Sequence, residues 1–153
     1  MIIHRRTLLA TALAAPAISI TGARAQTRWQ MATPYPDGNF HTRNNRQFIE
    51  EVQAATQGRL QIQMHSNGSL MPMPQIKRGV QQGQVQIGEI LLSAYGNEDP
   101  FFEIDGIPML APTRATAARL NELSRPFIET RFQRQGLSLL HVVAWPNSGF
   151  YTN

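Results

Sequence analysis

The chain has no cysteine among its 153 residues. Disulfide bridges and thiolate chemistry are therefore excluded, and stability has to come from an apolar core. A long hydrophobic run is also missing. The stretch from Leu8 to Ile20 is too short and too rich in Ala and Thr to span a bilayer. Metal-ligand spacing is absent: His41, His65 and His141 are isolated, whereas a zinc site needs three or four converging ligands. They read as surface or capping histidines. Ser148-Gly149 lacks the Gly-x-Ser-x-Gly elbow of hydrolases, and neither a phosphate loop nor a dinucleotide fingerprint occurs. The acids Glu98, Asp99, Glu103 and Asp105 read as solvated loop charges rather than a catalytic pair. No catalytic residue, metal or cofactor is expected.

What is present begins with an address. Arg5 and Arg6 precede the apolar run, and Ala23-Arg24-Ala25 is a small-x-small cleavage site. Residues 1–25 thus read as a signal peptide for Sec or twin-arginine export, with a mature periplasmic chain beginning near Gln26. Setting aside Arg5, Arg6 and Arg24, the 14 basic side chains fall to 11, against 10 acidic ones. The whole-chain pI of about 10.3 therefore does not point to nucleic acid, which needs a clustered basic face. Lys77-Arg78 reads as a solvated helix face.

From Arg28 the hydrophobic pattern alternates between periods. A strand over Arg28 to Ala32 ends at Pro34 and Pro36. After the turn Asp37-Gly38-Asn39, a helix is predicted from about Phe40 to Thr56, with Phe48, Ile49, Val52 and Ala55 on its apolar face and Gly58 at its C′ position. Leu60, Ile62 and Met64 alternate with polar residues as a second strand. A second helix starts near Met73, turns Ile76 and Val80 inward and stops at Gly83. Val85 to Leu92 reads as a third strand. Thr113 caps a further helix, which Pro126 should kink or restart and Gly136 should end, before a last strand over Leu137 to Ala144. Strand and helix alternating at this spacing imply an α/β fold with a mainly parallel sheet.

The order and spacing of several short strings carry a resemblance. They are Trp29-Gln30-Met31-Ala32-Thr33-Pro34-Tyr35-Pro36, Thr56-Gln57-Gly58-Arg59-Leu60-Gln61-Ile62, Asn67-Gly68-Ser69-Leu70 and Val80-Gln81-Gln82-Gly83-Gln84-Val85-Gln86-Ile87-Gly88-Glu89. The apolar segment Phe101 to Leu110, Gln135-Gly136-Leu137 and Gly149-Phe150-Tyr151-Thr152-Asn153 extend the match. Together they resemble the N-terminal lobe of solute-binding proteins of TRAP (tripartite ATP-independent periplasmic) transporters, of the DctP type. The resemblance implies a periplasmic-binding-protein-like lobe over residues 26–146. It further implies that 147–153 begin the crossover to a second lobe that this chain lacks. The implied function is capture of an organic acid and its delivery to the membrane subunits of an ion-coupled TRAP permease, without turnover and without nucleic acid as a partner. A secreted α/β hydrolase and a non-functional fragment of a binding protein remain as alternatives.

In open α/β sheets ligands sit beyond the carboxyl ends of the strands. Those ends carry Tyr35, Tyr95 and Trp145 as flat walls, and Thr33, Ser93, Asn147 and Ser148 as small hydrogen-bonding groups. The family's first-lobe positions fall here on Thr33, Tyr35, Met73, Leu91 and Ser93. The apolar Met73 and Leu91 argue against a sugar acid and for a smaller or aromatic carboxylate. By the same resemblance, the arginine that grips the carboxylate belongs to the second lobe, beyond Asn153.

Overall fold

The first strand, β1 (Thr27–Ala32), ends with two fully buried residues, Met31 and Ala32. Successive strand side chains point to opposite faces, so these two enter different layers. Met31 packs with Ile49, Ile62 and Ile87, whereas Ala32 packs with Ile76 and Val85. Ile49 belongs to α1 (Phe40–Ala55) and Ile76 to α2 (Met73–Gln81), so the two helices cover opposite faces of the sheet. A computed structural model describes residues 26–146. The expected signal peptide over 1–25 and the expected crossover over 147–153 lie outside the described residues.

The sheet has 3 strands in the order β2-β1-β3, with β2 at Leu60–His65 and β3 at Ile87–Gly88. All pairing is parallel: Thr27 lies opposite Leu60, Ala32 opposite His65, and Met31 opposite Ile87. The expected βαβαβ order and parallel sheet are found. β3 is shorter than the predicted Val85 to Leu92, although Gln86 N–H to Gln30 O (3.2 Å) and Glu89 N–H to Ala32 O (2.8 Å) extend its pairing with β1. From Leu92 the chain turns into two short 3-10 segments, Leu92–Tyr95 and Pro100–Gly106.

The helix ends follow local chemistry. Asn39 Oδ1 accepts from the His41 N–H and caps α1. At its other end Gln57, not Gly58, takes the left-handed C′ position, with φ 53°. Gln57 N–H bonds Ala54 O at 3.0 Å and Gly58 N–H bonds Gln53 O at 2.9 Å, which is a Schellman pair. Gly58 is the next residue along and is also left-handed.

A single helix, α3 (Arg114–Arg134), runs through Pro126. It packs Ile128 and Phe132 onto Tyr95 and Phe102 as a separate core cluster. A Thr113–Thr116 capping box opens it, and Gly136 closes it with a second Schellman pair through Leu137 N–H to Phe132 O (2.9 Å).

Three expectations need correction. Leu137 to Ala144 forms no strand, because its backbone finds no ladder partner. Leu137 and Leu139 pack on the α3 cluster, Arg125 Nη2 donates to Leu140 O at 3.1 Å, and an open cavity lies where a strand ladder would have to form. Lys77, the chain's one lysine, is not a solvated surface charge. Its side chain is 5% exposed, it bonds Glu98, and its Nζ stands 5.0 Å from the centre of the Tyr95 ring. Glu98 and Asp99 are accordingly engaged, Asp99 capping the second 3-10 segment and pairing with Arg131 at 2.5 Å. Finally, His41 is 5% exposed and so is neither a surface nor a capping histidine.

Candidate ligand site

Sheet order β2-β1-β3 places a topological switch point between β1 and β3. The chain leaves β1 for one face and β3 for the other, opening a crevice at their carboxyl ends. A cavity of about 430 Å³ runs alongside β3, from Trp29, Gln86 and Leu137 to these strand ends at Tyr35, Glu89 and Trp145, and is walled by α1, α2, α3 and the extended segment from Leu137. Its volume suits a small organic molecule.

Glu89, the first residue after β3, forms the polar floor. Its backbone N–H is tied to Ala32 O, and its Oε2 accepts from the Thr33 hydroxyl. Thr33, fully buried, lies behind the cavity wall and acts through Glu89. The Glu89 side chain keeps 15% exposure, so it is reachable from the cavity. Burial pushes its carboxyl above the usual range, while the Thr33 hydroxyl and the nearby Asn45 amide pull the other way.

The first two turns of α1 supply the next layer. His41, Thr42, Asn45 and Ile49 are its buried residues, one stripe that is polar at the cavity end and apolar at the core end. His41 Nδ1 is 3.8 Å from Glu89 Oε1. Burial holds the His41 imidazole below its ordinary value, with His141 adding to the effect. Three buried polar atoms here have no hydrogen-bond partner: Tyr35 OH, His41 Nε2 and Asn45 Nδ2. Burial, then the charge of Glu89, raises the Tyr35 phenol.

An aromatic wall faces this floor. The Tyr35 ring stacks on His41 at 5.4 Å and meets Trp145 edge-on at 5.5 Å, while Trp145 and His41 stand 4.4 Å apart. Phe40 meets Trp145 edge-on at 5.7 Å. Asp105 and His141 also line the cavity. Burial lowers the His141 imidazole.

Of the residues singled out in the sequence, Tyr35, Leu91 and Trp145 line the cavity and Thr33 braces its floor. Met73, Ser93 and Tyr95 do not line it. Tyr95 is buried and donates its hydroxyl to Met73 O at 3.3 Å, so these two fix the start of α2 to the first 3-10 segment. Asn147 and Ser148 lie outside the described residues. Sequence reasoning passed over His41, Asn45 and Glu89. The first two share the stripe of Ile49 at helical spacing, and Glu89 closes the third strand, so their positions were available as signals.

No match is found among curated proteins. Solved structures do match. DctP6, a Bordetella pertussis extracytoplasmic solute receptor binding pyroglutamic acid, shares 45% identity over 78% of this chain, with a TM-score of 0.76. DctP7 of Bordetella pertussis, described in the same words, shares 51% over 72%, with a TM-score of 0.69. A marine metagenome TRAP solute-binding protein from an unidentified microbe, specific for pyroglutamate, shares 34% over 72%, with a TM-score of 0.70. The chain spans 40% of the first of these proteins and 36% of each of the other two. The fold is thus that of one periplasmic-binding-protein lobe. The family model for bacterial extracellular solute-binding proteins, family 7 (DctP), matches residues 31–152, and the chain belongs to that family.

Proposed function

We propose that this chain supplies the first lobe of a periplasmic receptor that captures an organic acid and hands it to the membrane subunits of an ion-coupled TRAP permease, without chemical turnover. The observation that carries this is the set of unpartnered buried atoms, Tyr35 OH, His41 Nε2 and Asn45 Nδ2, gathered beside Glu89 under an aromatic wall. Buried polar atoms left unbonded cost free energy, and a ligand that bonds them recovers it. Tyr35, Leu91 and Trp145 form the wall, with Thr33 behind Glu89. Asn147 and Ser148, which follow Trp145 and Pro146 in the sequence, are assigned to the same ligand-binding set. Tyr95 bonds Met73 O and so fixes the start of α2, and Met73, Ser93 and Tyr95 lie outside the cavity wall.

Family membership supports the transport role, and the relatives named for pyroglutamate make that compound the first candidate ligand. Residues 1–25 serve as the export signal, 26–146 as the lobe and 147–153 as the start of the crossover to a second lobe. No helix among the described residues is long and apolar enough to cross a membrane.

The test is calorimetry on a two-lobed receptor whose first lobe is this chain. Pyroglutamate, lactate, pyruvate, C4-dicarboxylates, aromatic 2-oxoacids and uronates form the panel. One carboxylate should bind at one per protein and be recovered unchanged. Failure to bind any organic acid, with hydrolysis of an ester or glycoside instead, overturns the reading. Sequencing the exported protein checks the leader, since a start at Met1 in place of Gln26 refutes it.

A further inference from the structure

We propose that capture of an organic acid by this cavity takes up one proton from solvent, which the buried pair of His41 and Glu89 holds between them in the loaded receptor. The inference rests on the receptor reading above and adds to it a proton that enters with the ligand.

The pair is placed to share a proton. His41 stands on the first turn of α1 and Glu89 directly after β3, with Nδ1 and Oε1 3.8 Å apart. An approach of about 1 Å brings them within hydrogen-bond range. The rest of Glu89 is anchored: Ala32 O holds its backbone N–H at 2.8 Å, and its Oε2 accepts from the Thr33 hydroxyl with the Asn45 amide beside the carboxyl. His41 is 5% exposed, and its Nε2 has no partner.

A hydrogen-bond count shows what is missing. A neutral imidazole has one N–H and one lone pair, and an ionised carboxylate has only acceptors. With Glu89 at Nδ1 and an oxygen of an organic acid at Nε2, one of the two contacts sets lone pair against lone pair. One added proton removes the conflict, whether it sits as Nδ1–H···Oε1 or as Nδ1···H–Oε1. The proton therefore belongs to the pair rather than to either atom.

The surroundings favour that proton when an anion arrives. Burial disfavours charge on each group of the pair. A ligand carboxylate adds negative charge in a poorly solvated cavity and raises the proton affinity of both groups. The rings of Tyr35, Phe40 and Trp145 stand 5.4, 4.0 and 4.4 Å from that of His41, within the reach at which aromatic rings attract a cation. The other titratable groups on neighbouring elements are Tyr35 after β1, Asp105 in the second 3-10 segment and His141 on the extended segment. His141 opposes positive charge on His41, and Arg125 of α3 in turn acts on His141. Lys77 is the one lysine or arginine among the described residues that line the cavity, and Glu98 engages it. Within this lobe the shared proton is what answers the ligand's charge.

The test is titration calorimetry on the two-lobed receptor that carries this lobe, with L-pyroglutamate and lactate as probes. Each titration is run in buffers of low and high ionisation enthalpy, PIPES and Tris, over about pH 6 to 8.5, the range in which a histidine pair titrates. Both probes carry a carboxyl with an ordinary value of about 3–4, so they stay ionised throughout. The enthalpies in the two buffers should differ by the equivalent of about one proton taken up at the maximum, and affinity should rise there by up to about tenfold for each unit that the pH falls. H41Q and E89Q should each lose most of the uptake and flatten the pH profile, which a merely weakened site does not do. Binding by the wild-type protein with the same enthalpy in both buffers at every pH overturns the proposal and leaves the receptor reading standing, with no need for a variant to fold. Uptake that survives in H41Q or E89Q overturns the assignment to this pair. If another acid of the panel binds in place of both probes, the same two-buffer measurement on that acid decides. Binding of no organic acid at all overturns the receptor reading and this proposal with it.

Discussion

Nδ1 of His41 stands 3.8 Å from Oε1 of Glu89, yet burial pushes the two groups away from mutual charge, lowering the imidazole and raising the carboxyl. The other polar groups around the pair are Thr33, Tyr35 and Asn45, with Asp105 and His141 elsewhere on the cavity wall. The directions fix the sign of a pH effect. His41 and His141 are depressed below 6.5, so their contribution to stability is present above 6.5 and is lost as pH falls through their folded values. Glu89 is raised above 4.5, so its contribution is complete below 4.5 and is lost as pH rises through its folded value. Urea midpoints should fall on acidification just below 6.5 and flatten as Glu89 takes up its proton. The double variant His41→Gln with His141→Gln should remove most of the first decline. An unchanged pH profile in that variant would show that the imidazoles are not what acid attacks.

The buried Lys77 pairs with a Glu98 that keeps 39% side-chain exposure, and it also faces the Tyr95 and Phe102 rings at 5.0 and 6.0 Å. Breaking such a pair from one side is worse than replacing its buried member. Glu98→Ala should destabilise by about 1–3 kcal/mol, because the lysine stays buried without its counter-ion. Lys77→Met keeps the aliphatic packing and should stay within roughly 1 kcal/mol of wild type. Chemical denaturation of both variants decides it, and a larger loss in Lys77→Met would mean that the ion pair itself stabilises this corner.

Trp145 contacts Tyr35, Phe40 and His41 with ring centres 4.4 to 5.7 Å away. Aromatic contacts of this kind are worth about 0.5–1.5 kcal/mol each beyond area burial. Trp145→Ala should weaken ligand binding about tenfold or more, and Trp145→Phe should retain most of it. Titration calorimetry on the two-lobed receptor reads both. Unaltered affinity in Trp145→Ala would remove this wall from the site.

The elements were legible where period and punctuation agreed. β1, α1, β2 and α2 fall within a residue or two of their predicted spans, because alternation and helical spacing are written in Met31, Ile49, Ile62 and Ile76. The segment from Leu137 was not legible as coil. Its local pattern suits a strand, but a strand exists only when another backbone supplies donors and acceptors, and that is a tertiary fact. The lining of the cavity was half legible. Tyr35, Leu91 and Trp145 follow from the rule that ligands gather at carboxyl ends of strands. His41 and Asn45 escaped because a search for apolar stripes stops where the stripe turns polar, which is where α1 leaves the core for the cavity. Tyr95 does not line the cavity, since the 3-10 turn at Leu92–Tyr95 places its ring beneath Lys77.

Gly88 couples the sheet to the site and gives the last expectation. It pairs with Ala32 in β3 and immediately precedes Glu89. A Cβ there would stand 2.5 Å from Ile76 Cγ2 and 2.9 Å from Val80 Cγ2. Ile76 is fully buried and β-branched, so it has little freedom to yield. Gly88→Ala must therefore push α2 outward or displace β3, at a cost of roughly 1–3 kcal/mol. A displaced β3 carries Glu89 with it and loosens its bonds to Ala32 O and Thr33, so ligand affinity should fall together with stability. Gly38→Ala is the matched control: nothing lies within 4 Å of its added Cβ, and stability should change by about 0.5 kcal/mol or less. Chemical denaturation and titration calorimetry on the same two variants separate the outcomes. A Gly88→Ala protein as stable as wild type would show that α2 packs less tightly on β3 than the contact implies. A destabilised one with unchanged affinity would detach the position of Glu89 from the packing beneath it.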